Sequence, residues 1–221
     1  MSSRGAETVE QQSLGLKALF AGLDPNTDSA VLDLGPASGT NLTFFSQLGC
    51  RVHVADLYRS LWDSAADRPT DAATFAEACS SLLPDSDDHR FDYILTWDLF
   101  NYLTQDQITA VVEPLTALCK PGAVLFSMIS IRHQIASRPG SFQILEPGRL
   151  STQQAPSNAR PSPEYKEPQL LRLLPGFLVR RCFLMRHGVQ EYLFEYKPVS
   201  AGNEQPAAGL PGPRPRSLRM P

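Results

Sequence analysis

Two apolar runs, each closed by an aspartate and joined through a small-residue loop, constrain this 221-residue chain more than any other feature. Val31-Leu-Asp33-Leu34 leads into Gly35-Pro36-Ala37-Ser38-Gly39, and Thr40–Phe45 then has the make-up of a helix start. Arg51–Ala55 is the second run, and it ends at Asp56. Strand, tight loop, helix and strand in this order form one half of an open α/β sheet, where ligands bind beyond the carboxyl ends of the strands. Small loop residues let a ligand approach the backbone. An acid at the tip of the second strand can accept hydrogen bonds from ribose hydroxyls, so the unit suits a nucleoside-containing cofactor.

The loop discriminates between cofactors. A dinucleotide fingerprint started at Gly35 requires glycines at 37 and 40, where this chain has Ala37 and Thr40. That disfavours a nicotinamide-dependent oxidoreductase. What remains is an acid-x-Gly-x-x-x-Gly pattern, Asp33, Gly35 and Gly39, with the second acid at Asp56. In these residues the chain resembles the class I S-adenosylmethionine-dependent methyltransferases, departing from them at Ala37, the middle glycine of their first motif. Phe91-Asp-Tyr-Ile…Leu103 is similar to the family's fourth strand and the turn beyond it. Cys119-Lys-Pro-Gly122 is similar to the turn before its fifth. The resemblance spans roughly residues 28–131 and, more loosely, 170–197.

The resemblance implies a three-layer α/β sandwich with a seven-stranded, mostly parallel sheet, closed by an antiparallel C-terminal hairpin. It implies S-adenosylmethionine as cofactor. Asp33, Gly35, Pro36 and Gly39 would surround its methionine part, Asp56 its ribose and Leu57 its adenine face. Glu77 stands for the third-motif acid, and Asp98 for a group at the cofactor ammonium or the acceptor. Each acid also has a plainer reading: Asp33 as the cap of the next helix, Asp56 as a turn residue, and Asp98 as a cap beside core aromatics Trp97 and Tyr102.

Methyl transfer depends more on alignment than on acid–base groups, so the lack of a catalytic triad does not speak against an enzyme. Asp98 and His133 are the candidate catalytic residues, His133 as a base if the acceptor needs deprotonation or else as a solvated loop histidine. Arg132 is placed to meet an anionic substrate. Thr96-Trp-Asp-Leu-Phe100 lacks the Asn-Pro-Pro-Tyr type of motif that marks family members acting on nucleic-acid or protein amide nitrogens. The acceptor expected is a small molecule, through O, N or C. The alternative is a non-catalytic scaffold or partner subunit of the same fold, which Ala37 would suit.

Elsewhere, Leu14, Leu16, Leu19, Phe20 and Leu23 predict a helix within residues 8–23. Leu57–Ala66 reads as a short helix that brings Tyr58 and Trp62 to the cofactor edge. Ala72–Leu83 reads as a helix in which Phe75–Glu77 stands for a shortened third strand. Gln105–Leu118 is an amphipathic helix that Pro114 should kink or divide. Ala123–Ile131 is a central strand, Gln169–Leu174 a short helix, and Phe177–Met185 with Val189–Tyr196 a hairpin. Prolines crowd beyond residue 138, and 132–168 has little periodicity, as expected of a lid or a surface loop. Residues 1–199 are expected to form one domain and 200–221 a disordered tail rich in proline.

Charge and cysteine usage narrow the class. A net charge of −3 and a pI near 5.8 give no basic excess for a nucleic-acid backbone. Cys50, Cys79, Cys119 and Cys182 form no C-x-x-C pair, which argues for free thiols in a reducing cytosol and against a metal site. The N-terminal residues lack the apolar core of a signal peptide, and the apolar runs are strand-sized. A cytoplasmic, soluble protein is the expectation, with no indication of its oligomeric state.

Overall fold

A computed structural model describes residues 7–23, 27–58, 71–87, 89–154 and 158–198. The expected strand–loop–helix–strand unit is present as β2 (Ala30–Asp33), α2 (Gly39–Gln47) and β3 (Arg51–Val54), after β1 (Glu7–Gln12) and α1 (Leu14–Phe20). Then come α3 (Ala72–Leu82), β4 (Phe91–Trp97), a 3-10 turn (Leu99–Tyr102), α4 (Gln105–Ala117) and β5 (Cys119–Ser130). The remainder is β6 (Gln134–Ala136), β7 (Ser141–Glu146), β8 (Arg149–Gln154), β9 (Ala159–Pro161), α5 (Glu167–Leu173), β10 (Phe177–Met185) and β11 (Val189–Tyr196).

Among the described residues the main sheet has six strands in the order β10-β11-β5-β4-β2-β3. β3, β2, β4 and β5 run parallel, and the β10–β11 hairpin joins β5 antiparallel. Every residue of β2 is buried, as is β5 from Ala123 to Ser130, which is why both read as continuous apolar runs. The strand count differs from the expected seven because residues 72–82 stay helical, with Phe75 and Cys79 turned inward and Glu77 exposed.

Topology locates the site. The crossover from β2 through α2 to β3 moves one way across the sheet, and that from β4 through α4 to β5 moves the other. Right-handed crossovers therefore put α2 and α4 on opposite faces and leave a crevice between the tips of β2 and β4.

Three local readings need correction. Residues 7–12 are not helical: β1 pairs antiparallel with β8, a partner more than a hundred residues away, and that ladder overrides local pattern. Helix α4, opened by a Thr104–Gln107 capping box, continues through Pro114 as one element. The segment 132–168 is not structureless. Its β7 and β8 complete a three-stranded sheet with β1, and β6 pairs with β9. These strands are short and face solvent on one side, so their apolar residues are too few to show a period. Trp62, most of the expected 57–66 helix and the tail from 200 lie outside the described residues.

The small sheet is fastened to the main one by Asn41, a buried residue in the first turn of α2. Its Nδ2 donates to the Phe142 carbonyl at 3.0 Å, and its Oδ1 accepts from the Ile144 N–H at 2.8 Å. Asn41→Ala strands two buried backbone groups, and urea unfolding of this variant should show a loss of roughly 2–4 kcal/mol.

Candidate functional site

Asp33 ends β2 and is 2% exposed. A carboxylate so placed requires donors, and two reach it. The Gly35 N–H reaches Oδ1 at 2.9 Å and the Trp97 indole Nε1–H reaches the same oxygen at 2.6 Å, while the nearby Asn41 side chain also favours the ionised form. Burial nevertheless prevails over these bonds and pushes the Asp33 carboxyl up to about 6. The Gly35 bond ties Asp33 to the loop backbone.

Trp97, at the tip of β4, is a left-handed residue with φ 48°. A bulky side chain seldom adopts that conformation, and the strain is on the order of 1–3 kcal/mol. The turn directs the indole over the loop. A Cβ at Gly35 would stand 2.7 Å from the indole Cδ1, so only glycine permits this approach. Phe142 of β7 stacks on the other side, its ring parallel to the indole within 4° at 5.1 Å. A Cβ at Gly39 would meet nothing within 4 Å, so that end of the loop is open. Asp56 ends β3 with φ 44° and is partly exposed, while Leu57 is fully buried and donates its N–H to the Leu34 carbonyl at 3.1 Å.

On the far side of Trp97, Asp98 accepts a 2.6 Å hydrogen bond from the Tyr58 hydroxyl, and the nearby Gly140 backbone also favours its ionised form. Protein surrounds it on most sides, and burial raises its carboxyl to about 7 despite both. Its remaining surface opens on a cavity of about 320 Å³ between the tips of β4 and β5 and the small sheet. Asn101, Tyr102, Ser130, Arg132 and Phe142 also line this cavity. Asn101 fixes its floor, donating to the Met128 carbonyl at 2.8 Å and accepting from the Ser130 N–H at 2.9 Å.

The structure thus brings Asp33, Gly35, Pro36, Gly39, Asp56, Leu57 and Asp98 to one end of the sheet. It does not bring Glu77 or His133. Glu77 lies on an exposed face of α3, because the segment expected as a third strand is helical. The His133 side chain is 91% exposed, and its Nδ1 lies 2.7 Å from the Glu164 carboxylate outside the cavity. Asn41 and Phe142 went unnoticed in the sequence. Asn41, two residues past Gly39, offered a signal as a polar residue at an inward helix position, whereas Phe142 offered none. Among the described residues no cluster of His, Cys, Asp and Glu can hold a metal ion.

The methyltransferase-domain family matches residues 9–174. No curated protein matches the chain. Several solved structures are similar. The 1,6-didemethyltoxoflavin-N1-methyltransferase of Burkholderia thailandensis, with 1,6-didemethyltoxoflavin and S-adenosylhomocysteine bound, is 18% identical, with a TM-score of 0.48 over 83% of this chain and 79% of its own. An S-adenosylmethionine-dependent methyltransferase of Methanosarcina mazei is 17% identical, with a TM-score of 0.48 over 81% and 96%. The magnesium protoporphyrin IX methyltransferase of Synechocystis, with S-adenosylmethionine bound, is 13% identical, with a TM-score of 0.47 over 82% and 76%.

A carboxyl whose pKa is raised on folding supports the fold below its unfolded value, and that support is lost as pH rises through the folded value. For Asp33 the window runs from about 4 to about 6. The Trp97 indole opposes this by stabilising the ionised form. Trp97→Phe should therefore destabilise the protein by about 1.5–3 kcal/mol at pH 8, where Asp33 is ionised. At pH 5, where Asp33 is mostly protonated, the loss should be smaller; denaturant titrations at the two pH values measure the difference.

Proposed function

The chain belongs to the methyltransferase-domain family, and from that premise we propose that it transfers a methyl group from S-adenosylmethionine to a small molecule held in the cavity beside Asp98. One observation carries this reading. Trp97 and Asp98 are consecutive, and they form a wall with the glycine loop on one side and the cavity on the other. A donor over the loop and an acceptor in the cavity would be one residue apart, the proximity that a displacement reaction needs.

The residues fit the donor in chemistry. Asp56, partly exposed at the tip of β3, would accept from the ribose hydroxyls in charge-assisted bonds. Asp33 holds the loop through the Gly35 N–H, and the open ground at Gly39 admits a ligand against the backbone. When bound, the donor supplies a methyl group made electrophilic by the sulfonium, whose sulfur keeps the bonding pair. The indole of Trp97 covers Gly35, so a ligand entering there must displace the Trp97–Phe142 stack.

On the acceptor side, Asp98 holds or takes the proton that an O–H or N–H group loses on methylation. Its raised pKa makes it a better base than an ordinary carboxylate near neutrality. His133, paired with Glu164 away from the cavity, is replaced by Asp98 in that role. A second reading, a scaffold that does not use the donor, is favoured by the covering of Gly35. No helix among the described residues is long and apolar enough to cross a membrane. One domain over residues 1–199 remains our proposal, as does a location in the cytoplasm.

Calorimetry with S-adenosylmethionine and S-adenosylhomocysteine decides between the two readings. Wild-type protein should bind both, and Asp56→Ala should weaken binding about tenfold or more. A folded wild type that binds neither overturns the enzyme reading in favour of the scaffold.

A further inference from the structure

The cavity beside Asp98 differs in charge from the molecule around it. The chain as a whole carries −3, yet the one permanent charge among the lining residues is a cation, Arg132. The Arg132 guanidinium has no ion-pair partner among the described residues. Its stem is packed on Gly188: a Cβ there would stand 2.9 Å from the Arg132 Cγ and 3.1 Å from its Nε. Glycine at 188 therefore gives the arginine its resting place at the edge of the cavity.

Neighbouring groups reinforce this polarity. Arg160 of β9 lies over the ring of Tyr102, 5.8 Å from its centroid, and likewise has no ion-pair partner among the described residues. His187 also lines the cavity, and its Nε2 is buried without a hydrogen-bond partner. Burial and the charge of Arg132 both disfavour its protonation, so it adds a neutral polar wall. Asp98 is the single acid of the lining, and the Tyr58 hydroxyl donates to one of its oxygens. A low-dielectric pocket with unpaired cations at its rim concentrates anions. Met128, Ile135, Phe142 and Val189 give the rest of the wall an apolar character.

We propose, on the basis of the methyl-transfer reading above, that the acceptor is an organic acid: its carboxylate pairs with Arg132, and its apolar body lies against Phe142 and Met128 toward Asp98. Arginine suits this role because its planar donor fork matches a carboxylate. Pairing at the rim would orient the molecule, so that the atom to be methylated enters last and meets the Trp97–Asp98 wall.

The test uses the full chain saturated with S-adenosylhomocysteine and a fragment set of one- and two-ring carboxylic acids, each matched with its neutral amide and its cationic amine. Ligand-observed NMR and calorimetry measure the affinities. The acids should bind about tenfold more tightly than their amides, with the amines weakest, and the preference should shrink with added salt. Arg132→Gln should abolish the preference while leaving amide affinity unchanged, and Arg132→Lys should retain part of it. Thermal unfolding of both variants checks that they fold. Equal binding of acids and amides, tighter binding of amines, or no acid bound at all overturns the proposal. If S-adenosylhomocysteine binds in those cases, the methyltransferase reading survives. If it does not bind to the folded protein, that reading fails on its own account.

Discussion

The buried Asp33 carboxylate is the constraint on which the rest of the site depends. A carboxylate at 2% exposure is costly unless donors surround it. Its donors come from different parts of the fold, Gly35 from the loop and Trp97 from the tip of β4, with the Asn41 side chain of α2 close beside it. The acid thereby fixes the loop against the neighbouring strand. Asn41 passes the constraint outward, because the same side chain holds the backbone of β7. Position in the small sheet is thus linked to the charge state of a residue in the main one.

Strain collects where these connections meet. Among the described residues, the non-glycine positions with positive φ include Asp56 and Trp97, each at the tip of a parallel strand on the ligand-binding edge. At Trp97 the strained backbone turns the indole inward to Asp33 and leaves Asp98 facing the cavity. The hydrogen bond at 2.6 Å and the stack on Phe142 offset that strain. A relaxed extended residue at 97 would send the next side chain elsewhere, and the wall between loop and cavity would be lost.

How much of this is legible in the sequence follows the range of the interactions. β2, α2, β3, β5 and the C-terminal hairpin are visible because β2 and β5 are buried apolar runs, the edge strand β3 and the β10–β11 hairpin are apolar-rich, and their ends carry local turn chemistry. Asp33, Gly35 and Asp56 are visible for the same reason, since loop and acids lie within one continuous unit. The helix at 72–82 was half legible: its inward Phe75 and Cys79 fit a helix, while the expected third-motif acid drew Glu77 toward a strand that does not form. β1 and β8 are not legible, because Glu-Thr-Val-Glu-Gln-Gln and Arg-Leu-Ser-Thr-Gln-Gln carry no apolar run and become strands through their pairing, with each other and, for β8, with β7. His133 and Arg132 show the limit most clearly. They are adjacent and equally plausible in sequence, and local geometry sends one to Glu164 and the other to the cavity rim.

That difference in legibility has a functional counterpart. The loop, the acid tips and the switch point lie within one continuous stretch of the chain, from β2 to β4. The cavity, by contrast, is enclosed by β1 from one end of the described chain and by β7, β8 and the β6–β9 pair from the segment after β5. Its lining side chains, among them Gln11, Phe142, Thr152 and Gln154, stand on the β7–β8 hairpin and on β1, which joins that hairpin from far away in the chain. On the proposed reading, substitutions there would alter the acceptor without disturbing Asp33. Asn41 and Phe142 are the exceptions, because they belong to both structures at once. On the proposed reading, an acceptor in the cavity would touch Phe142 and so bear on the Trp97 stack that covers Gly35.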